Sequence, residues 1–163
     1  QIRQIPSGAD HSVAWLIWHI TRCEDITMNL LVAGSPQILN QGNWLKKMKV
    51  KVCDTGNAMD KAGVADFSNS IDIEALRAYR LTVGRRTQKM VKQLQPADMK
   101  RKVERPRRQQ VMDEGAVVEA GQGIADYWGR RNVAGLLLMP ATRHNLIHLN
   151  EALQQKRRYC VKS

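Results

Sequence analysis

Apolar residues recur along one broad stripe between Ser12 and Ala33. Val13, Trp15, Leu16, Trp18, Ile20, Ile26, Met28, Leu30 and Leu31 follow the spacing of an amphipathic helix. Asp10 or Ser12 is placed to cap its start, and Gly34 with Pro36 two residues on is placed to stop it. A second stripe, Leu76, Tyr79, Val83, Thr87, Met90, Val91 and Leu94, predicts a helix from about Ile73 to Leu94, with Asp72 as N-cap and Pro96 as its end. A third helix is expected from about Ala116 to Val133, weakened by Gly121, Gly123 and Gly129. A last one spans Gly135 or Pro140 to Arg158, with Pro140 at a kink or in a first turn.

Residues 34–72 break the pattern. Asn40-Gln41-Gly42-Asn43 and Asp54-Thr55-Gly56-Asn57 carry turn signals, and Lys49-Val50-Lys51-Val52 alternates over too few residues for a strand. The segment reads as a long irregular connection with room for short helices, a kind of loop that often carries function. Lys100 to Arg108 holds six basic residues and one acidic one around Pro106, and reads as a connector. The pattern predicts three or four helices and almost no strand. The fold class is therefore all-α, a helix bundle within one domain over residues 1–163.

Composition narrows the function. A chain of 163 residues with 43% apolar residues builds one domain with a real core and is not disordered. The net charge of +11 favours anionic partners or a basic surface. The Lys100–Arg108 run and Lys46, Lys47, Lys49 and Lys51 lack aromatic interleaving, a zinc finger or a helix-turn-helix, so no specific nucleic-acid partner is expected. Cys23, Cys53 and Cys160 are odd in number and widely spaced, which fits a reducing compartment and a cytoplasmic location. There is neither an 18-residue apolar run nor a signal peptide, so no membrane partner is expected. The chain starts at Gln1 without an initiator Met, and a segment of the natural protein is expected to precede it.

The candidate chemistry lies in the histidines. His144 and His148 are an i,i+4 pair, which puts both rings on one helical face, able to share a divalent ion. Residue 145 is Asn, not the Glu that a zinc protease places between such histidines. A third ligand must come from another helix. His19, flanked by Trp18 and Ile20, needs a polar partner or a metal if buried. Three imidazoles and an open position make the pattern of a catalytic metal site. The spacing equally allows a packing pair and a core histidine bonded to a carbonyl. His11, just before the first helix, is a candidate fourth ligand, substrate group or cap. Cys23, one turn beyond His19, is a candidate extra ligand.

Two segments carry a resemblance. His11-Ser12-Val13-Ala14-Trp15-Leu16-Ile17-Trp18-His19-Ile20, followed by Arg22, Glu24 and Asp25, resembles the second helix of the DinB/YfiT-like superfamily. Met139-Pro140-Ala141-Thr142-Arg143-His144-Asn145-Leu146-Ile147-His148-Leu149-Asn150-Glu151 resembles its last core helix. The resemblance implies a DinB-like four-helix bundle with long connections and a divalent metal ion on His19, His144 and His148, zinc or nickel above all. It implies that the bundle's first helix is missing from this chain, which would leave an apolar face exposed. It also implies a small-molecule substrate and a homodimer. Characterised members look like transferases or isomerases that use a low-molecular-weight thiol such as glutathione, mycothiol or bacillithiol; others are described as metal-dependent hydrolases.

Two mechanisms follow from that implication. In the first, the metal lowers the pKa of a thiol, and a basic rim of Arg22 and Arg143, with Arg77 or Arg80 as further candidates, holds the thiol's carboxylates. In the second, the metal activates water and a carboxylate takes the proton. Glu151, three residues from His148, is better phased for this than Glu24 or Asp25, and equally suits an acceptor for an imidazole N–H. Arg22 is three residues from His19 and near its face, Trp15 four residues before it walls the site or is plain core, and Arg143 is off the ligand face. A third reading is a helical binding module without enzymatic activity.

Overall fold

Ser12, one of the two caps the sequence offers, opens the first helix. Its Oγ accepts from the Trp15 N–H at 3.0 Å and pairs with Ser68 Oγ at 2.7 Å. The computed structural model describes residues 1–160, with side chains through Arg158; the Cys160 side chain and the last three residues of the expected domain lie outside the described residues. Helix α1 covers Val13–Asp25 and continues as a π-helical stretch, Ile26–Ala33, that ends where Gly34 turns left-handed at φ 63°. From Ala14 to Val32 every residue except Ile17 is buried. The segment is thus a central rod, enclosed on all sides rather than amphipathic. Replacing Ser12 by alanine is expected to destabilise the protein by ~1–2 kcal/mol, read as a shift in the urea midpoint.

The rest of the chain wraps this rod. Helices α2 (Trp44–Met48) and α3 (Lys61–Ser70) lie inside the connection that the sequence leaves irregular. Helix α4 (Ile73–Gln93) starts on Asp72, whose side chain accepts from the Ala75 N–H, and packs along α1. A short 3-10 turn (Pro96–Lys100) leads to α5 (Arg105–Asp113), then α6 (Gln122–Gly129), α7 (Val133–Leu138), a π turn (Met139–Arg143) and α8 (His144–Cys160), which also lies against α1. Among the described residues the only bridge of strand type joins Lys102 and Asn132. The fold is all-α, with several helices and long connecting loops.

Two expectations need correction. The third helix does not start at Ala116. Ala116 and Val117 are core residues of a turn after Gly115, and α6 ends at Gly129, so the glycines shorten the helix to eight residues. The basic run is no mere connector. Pro106 sits in the first turn of α5, where its missing N–H costs nothing. Arg101 and Arg107 donate to the Val32 carbonyl at the end of the central rod, and Arg107 lies over Gly34. Cations at a helix C-terminus offset its dipole.

Two apolar clusters share the rod. Trp15, Leu16 and Trp18 meet Leu76, Tyr79 and Val83 of α4. Met28, Leu30 and Leu31 meet Val111, Trp128 and Leu136. On α8, Leu146, Ile147, Leu149 and Leu153 stay about half exposed or more, an open apolar face. No helix among the described residues is long and apolar enough to cross a membrane.

Candidate metal centre

His19 lies mid-way along the rod and is only 5% exposed. A buried imidazole must find partners for its nitrogens. Its Nδ1 is 2.8 Å from the Thr55 carbonyl oxygen. A carbonyl only accepts, so Nδ1 carries the proton and Nε2 offers a lone pair. The turn that delivers this carbonyl depends on Gly56. Its φ is +81°, and a Cβ there would stand 2.9 Å from Trp15 Nε1. Trp15 stacks on the His19 ring at 4.8 Å, and His11 stacks on Trp15 at 3.8 Å.

The same logic fixes His148. Its Nδ1 is 2.9 Å from Glu151 Oε2, and a carboxylate accepts, so Nδ1 donates and Nε2 is left with a lone pair. His144 meets His19 across the two helices. Its Nε2 is 3.1 Å from His19 Nε2, while its buried Nδ1 has no partner. The ring centroids lie 4.9 Å (His19 to His144), 5.1 Å (His19 to His148) and 4.7 Å (His144 to His148) apart. Pro140 precedes the pair by one turn. Lacking an N–H, it cannot donate to the Leu136 carbonyl, and the chain takes a π turn there before α8.

Cys23 joins the group, with Sγ 4.0 Å from His19 Nε2. The ligand atoms of His19, Cys23 and His144 all lie within 4.8 Å of one another. This buried His/Cys/His cluster can coordinate a metal ion. Burial, reinforced by the neighbouring imidazoles, lowers His19 to about 3 although its bond to Thr55 opposes the shift. Burial and then His148 lower His144 to about 4. Both rings are therefore neutral at pH 7, the form a metal requires. Burial pushes the Cys23 thiol up to about 12, so that sulfur is protonated until an ion displaces its proton. The His19–His144 pair fits an ion: a tetrahedral ion at ~2.0–2.1 Å from two nitrogens sets them about 3.3 Å apart, near the 3.1 Å between these two.

A family model described as the DinB superfamily matches residues 1–152. The chain belongs to the DinB superfamily. No curated protein matches it.

Elsewhere in this DinB-superfamily chain, the other predicted site residues separate. Glu151 reaches the cluster through His148. His11 does not reach it; its Nδ1 is 3.9 Å from Glu151 Oε1 and its ring covers Trp15. Trp15 is both core and a support for His19. Arg22 must be corrected. It is fully buried, and its guanidinium donates to the Cys53 carbonyl, Asp25, Tyr79 and Gln37. It has no free face for a substrate. Arg143 is exposed, and Arg77 pairs with Glu74 on the surface. Glu24 accepts from Arg80 and Asn145, and Asp25 is locked into the Arg22 network. The basic rim that the sequence suggested is therefore not assembled.

Sequence reasoning missed Thr55 and the residues that wall the site from α6. Thr55 acts through its backbone carbonyl, which carries no residue-type signal. Its turn, Asp54-Thr55-Gly56-Asn57, is legible only as a turn.

Proposed function

We propose that this chain is a metal-binding protein whose divalent ion, zinc or nickel, sits on His19, His144 and His148, and that it runs a thiol-dependent transferase or isomerase reaction. One observation carries the ligand set. All three rings lie within 5.1 Å of each other, and acceptors already hold the far nitrogens of two of them. That is the arrangement by which proteins orient metal-binding imidazoles. In the same reading, α1, α4 and α8 are three helices of the family's four-helix bundle. When bound, the ion supplies Lewis acidity that lowers the pKa of a thiol or water.

The chain's own residues favour the thiol over water. The Thr55 carbonyl and the Glu151 carboxylate orient two rings and hold their Nδ1 protons. No carboxylate among the described residues lines the cavity beside the cluster, so activated water has no ready proton acceptor there. Glu24 and Asp25 are bonded elsewhere, and Glu151 is occupied by His148. A thiol, with an ordinary pKa of ~8.5, gives its proton to solvent far more readily than water does when it meets such an ion, and needs no base at the site. The hydrolase reading requires Glu151 to leave His148.

Metal content after zinc reconstitution, measured by inductively coupled plasma mass spectrometry, tests the ligand set. One zinc per chain is expected in the wild type and in Cys23→Ser, and far less in His148→Ala. The opposite pattern, zinc kept without His148 and lost without the Cys23 thiol, would replace the three histidines by the His/Cys/His set. Turnover that rises with added thiol would separate the transferase reading from the hydrolase.

A further inference from the structure

A cavity of about 170 Å³ shares its wall with the cluster, since His19, Cys23 and His144 line both. Its other walls come mainly from α6 and the π turn. Ile124, Tyr127 and Trp128 sit at i, i+3 and i+4 of α6, on one helical face, and Met139 and Pro140 stand opposite in sequence at the entry to α8. The exposed Asn57, from the long connection, is the remaining lining residue.

The lining has two informative properties. It holds no Lys, Arg, Asp or Glu among the described residues. Arg131 lies over the Tyr127 ring 4.2 Å from its centroid and is not part of the lining. Arg22 and Arg80 are turned to Asp25 and Glu24. A carboxylate entering here would lose its water without gaining a counter-charge, at a cost of several kcal/mol. The second property is size. An apolar cavity of ~150 Å³ is known to accept benzene, so this one holds a single ring or a short branched chain, and the rest of a peptide-sized cofactor would lie outside it.

We propose that the centre serves a small uncharged substrate, one substituted ring or its aliphatic equivalent, with a single sulfur donor directed at the histidines. This rests on the three-histidine reading above and narrows it. The apolar body packs on Ile124, Trp128 and Met139. Asn57 and Tyr127 are the neutral polar side chains of the lining outside the cluster that could orient it, in the manner of small-molecule sites with few polar contacts. Large anionic thiols such as a γ-glutamyl tripeptide are disfavoured on charge, since the lining offers their carboxylates no cation.

Zinc-loaded protein titrated with benzyl mercaptan and with mercaptosuccinate tests this, read by calorimetry and by tryptophan fluorescence. Benzyl mercaptan is expected to bind at least tenfold more tightly. Ile124→Lys, which brings a cation to the half-buried wall, is expected to narrow or reverse that preference while zinc stoichiometry is kept. Equal or tighter binding of mercaptosuccinate by the wild type would overturn the proposal, with no variant needed. Zinc that is bound while the two thiols are not distinguished would sink this inference alone. Failure to bind zinc would remove the three-histidine reading and this inference with it.

Discussion

Asp25→Ala is expected to destabilise the protein by ~3–5 kcal/mol, a large share of a typical domain's ~5–15 kcal/mol. Asp25 is fully buried. Its carboxylate accepts from Arg22 Nη1 at 3.1 Å, the Tyr79 hydroxyl at 2.5 Å, Asn29 Nδ2 at 2.7 Å, and the backbone N–H groups of Ile38 and Leu39 at 2.8 and 2.9 Å. Removing it strands the Arg22 charge in the interior, held only by neutral acceptors, and leaves two backbone donors without partners. The damage is expected to spread to the histidines, because Arg22 also holds the Cys53 carbonyl, two residues before the Thr55 that fixes His19. Urea unfolding measures the loss. The double variant Asp25→Ala/Arg22→Met is expected to recover part of it, since no charge is then left unpaired. A loss below 1 kcal/mol in the single variant would show that the network contributes little.

That network also shows where the sequence stops being informative. The caps at Ser12 and Asp72 and the stop at Gly34 are legible because a cap uses atoms within three residues of itself. The convergence of His144 and His148 is legible for the same reason, since helical pitch alone aligns i and i+4. His19 stands out because a histidine between Trp18 and Ile20 on an apolar helix needs a reason to be there. Arg22 is different. Its spacing from His19 gives an angle around α1, but Cys53, Gln37 and Tyr79, which hold it, lie 31, 15 and 57 residues away. No local pattern encodes that choice. Helix α5 was hidden by its own Pro106, which a breaker rule rejects and a first-turn rule accepts. Helix α2 has five residues, too few for a periodic signal. Helix α3 left a trace, Asp60 as N-cap with Val64 and Phe67 three apart, inside a stretch otherwise rich in turn residues.

His19→Ala is expected to weaken zinc binding about 100-fold. Structural zinc sites bind with ~10–16 kcal/mol over four ligands, about 3 kcal/mol each. Glu151→Gln, which weakens the hold on His148 without touching a proposed ligand, is expected to cost less, ~10-fold or somewhat more. Competition with a chromophoric chelator measures both. The same histidine gives the metal-free protein a pH signature. Its folded-state pKa of about 3 lies below the ordinary 6.5, so between those values the unfolded chain binds a proton that the folded chain refuses. Stability is then full above pH 6.5 and falls as the pH drops toward 3, by at most about 5 kcal/mol from this one ring. His144, lowered to about 4, acts in the same direction over a narrower range. Metal-free His19→Leu should therefore lose less stability than the metal-free wild type between pH 6.5 and 4. If the two proteins respond to acid equally, the His19 ring is not held neutral by burial, and the case for it as a ready ligand weakens together with the zinc result.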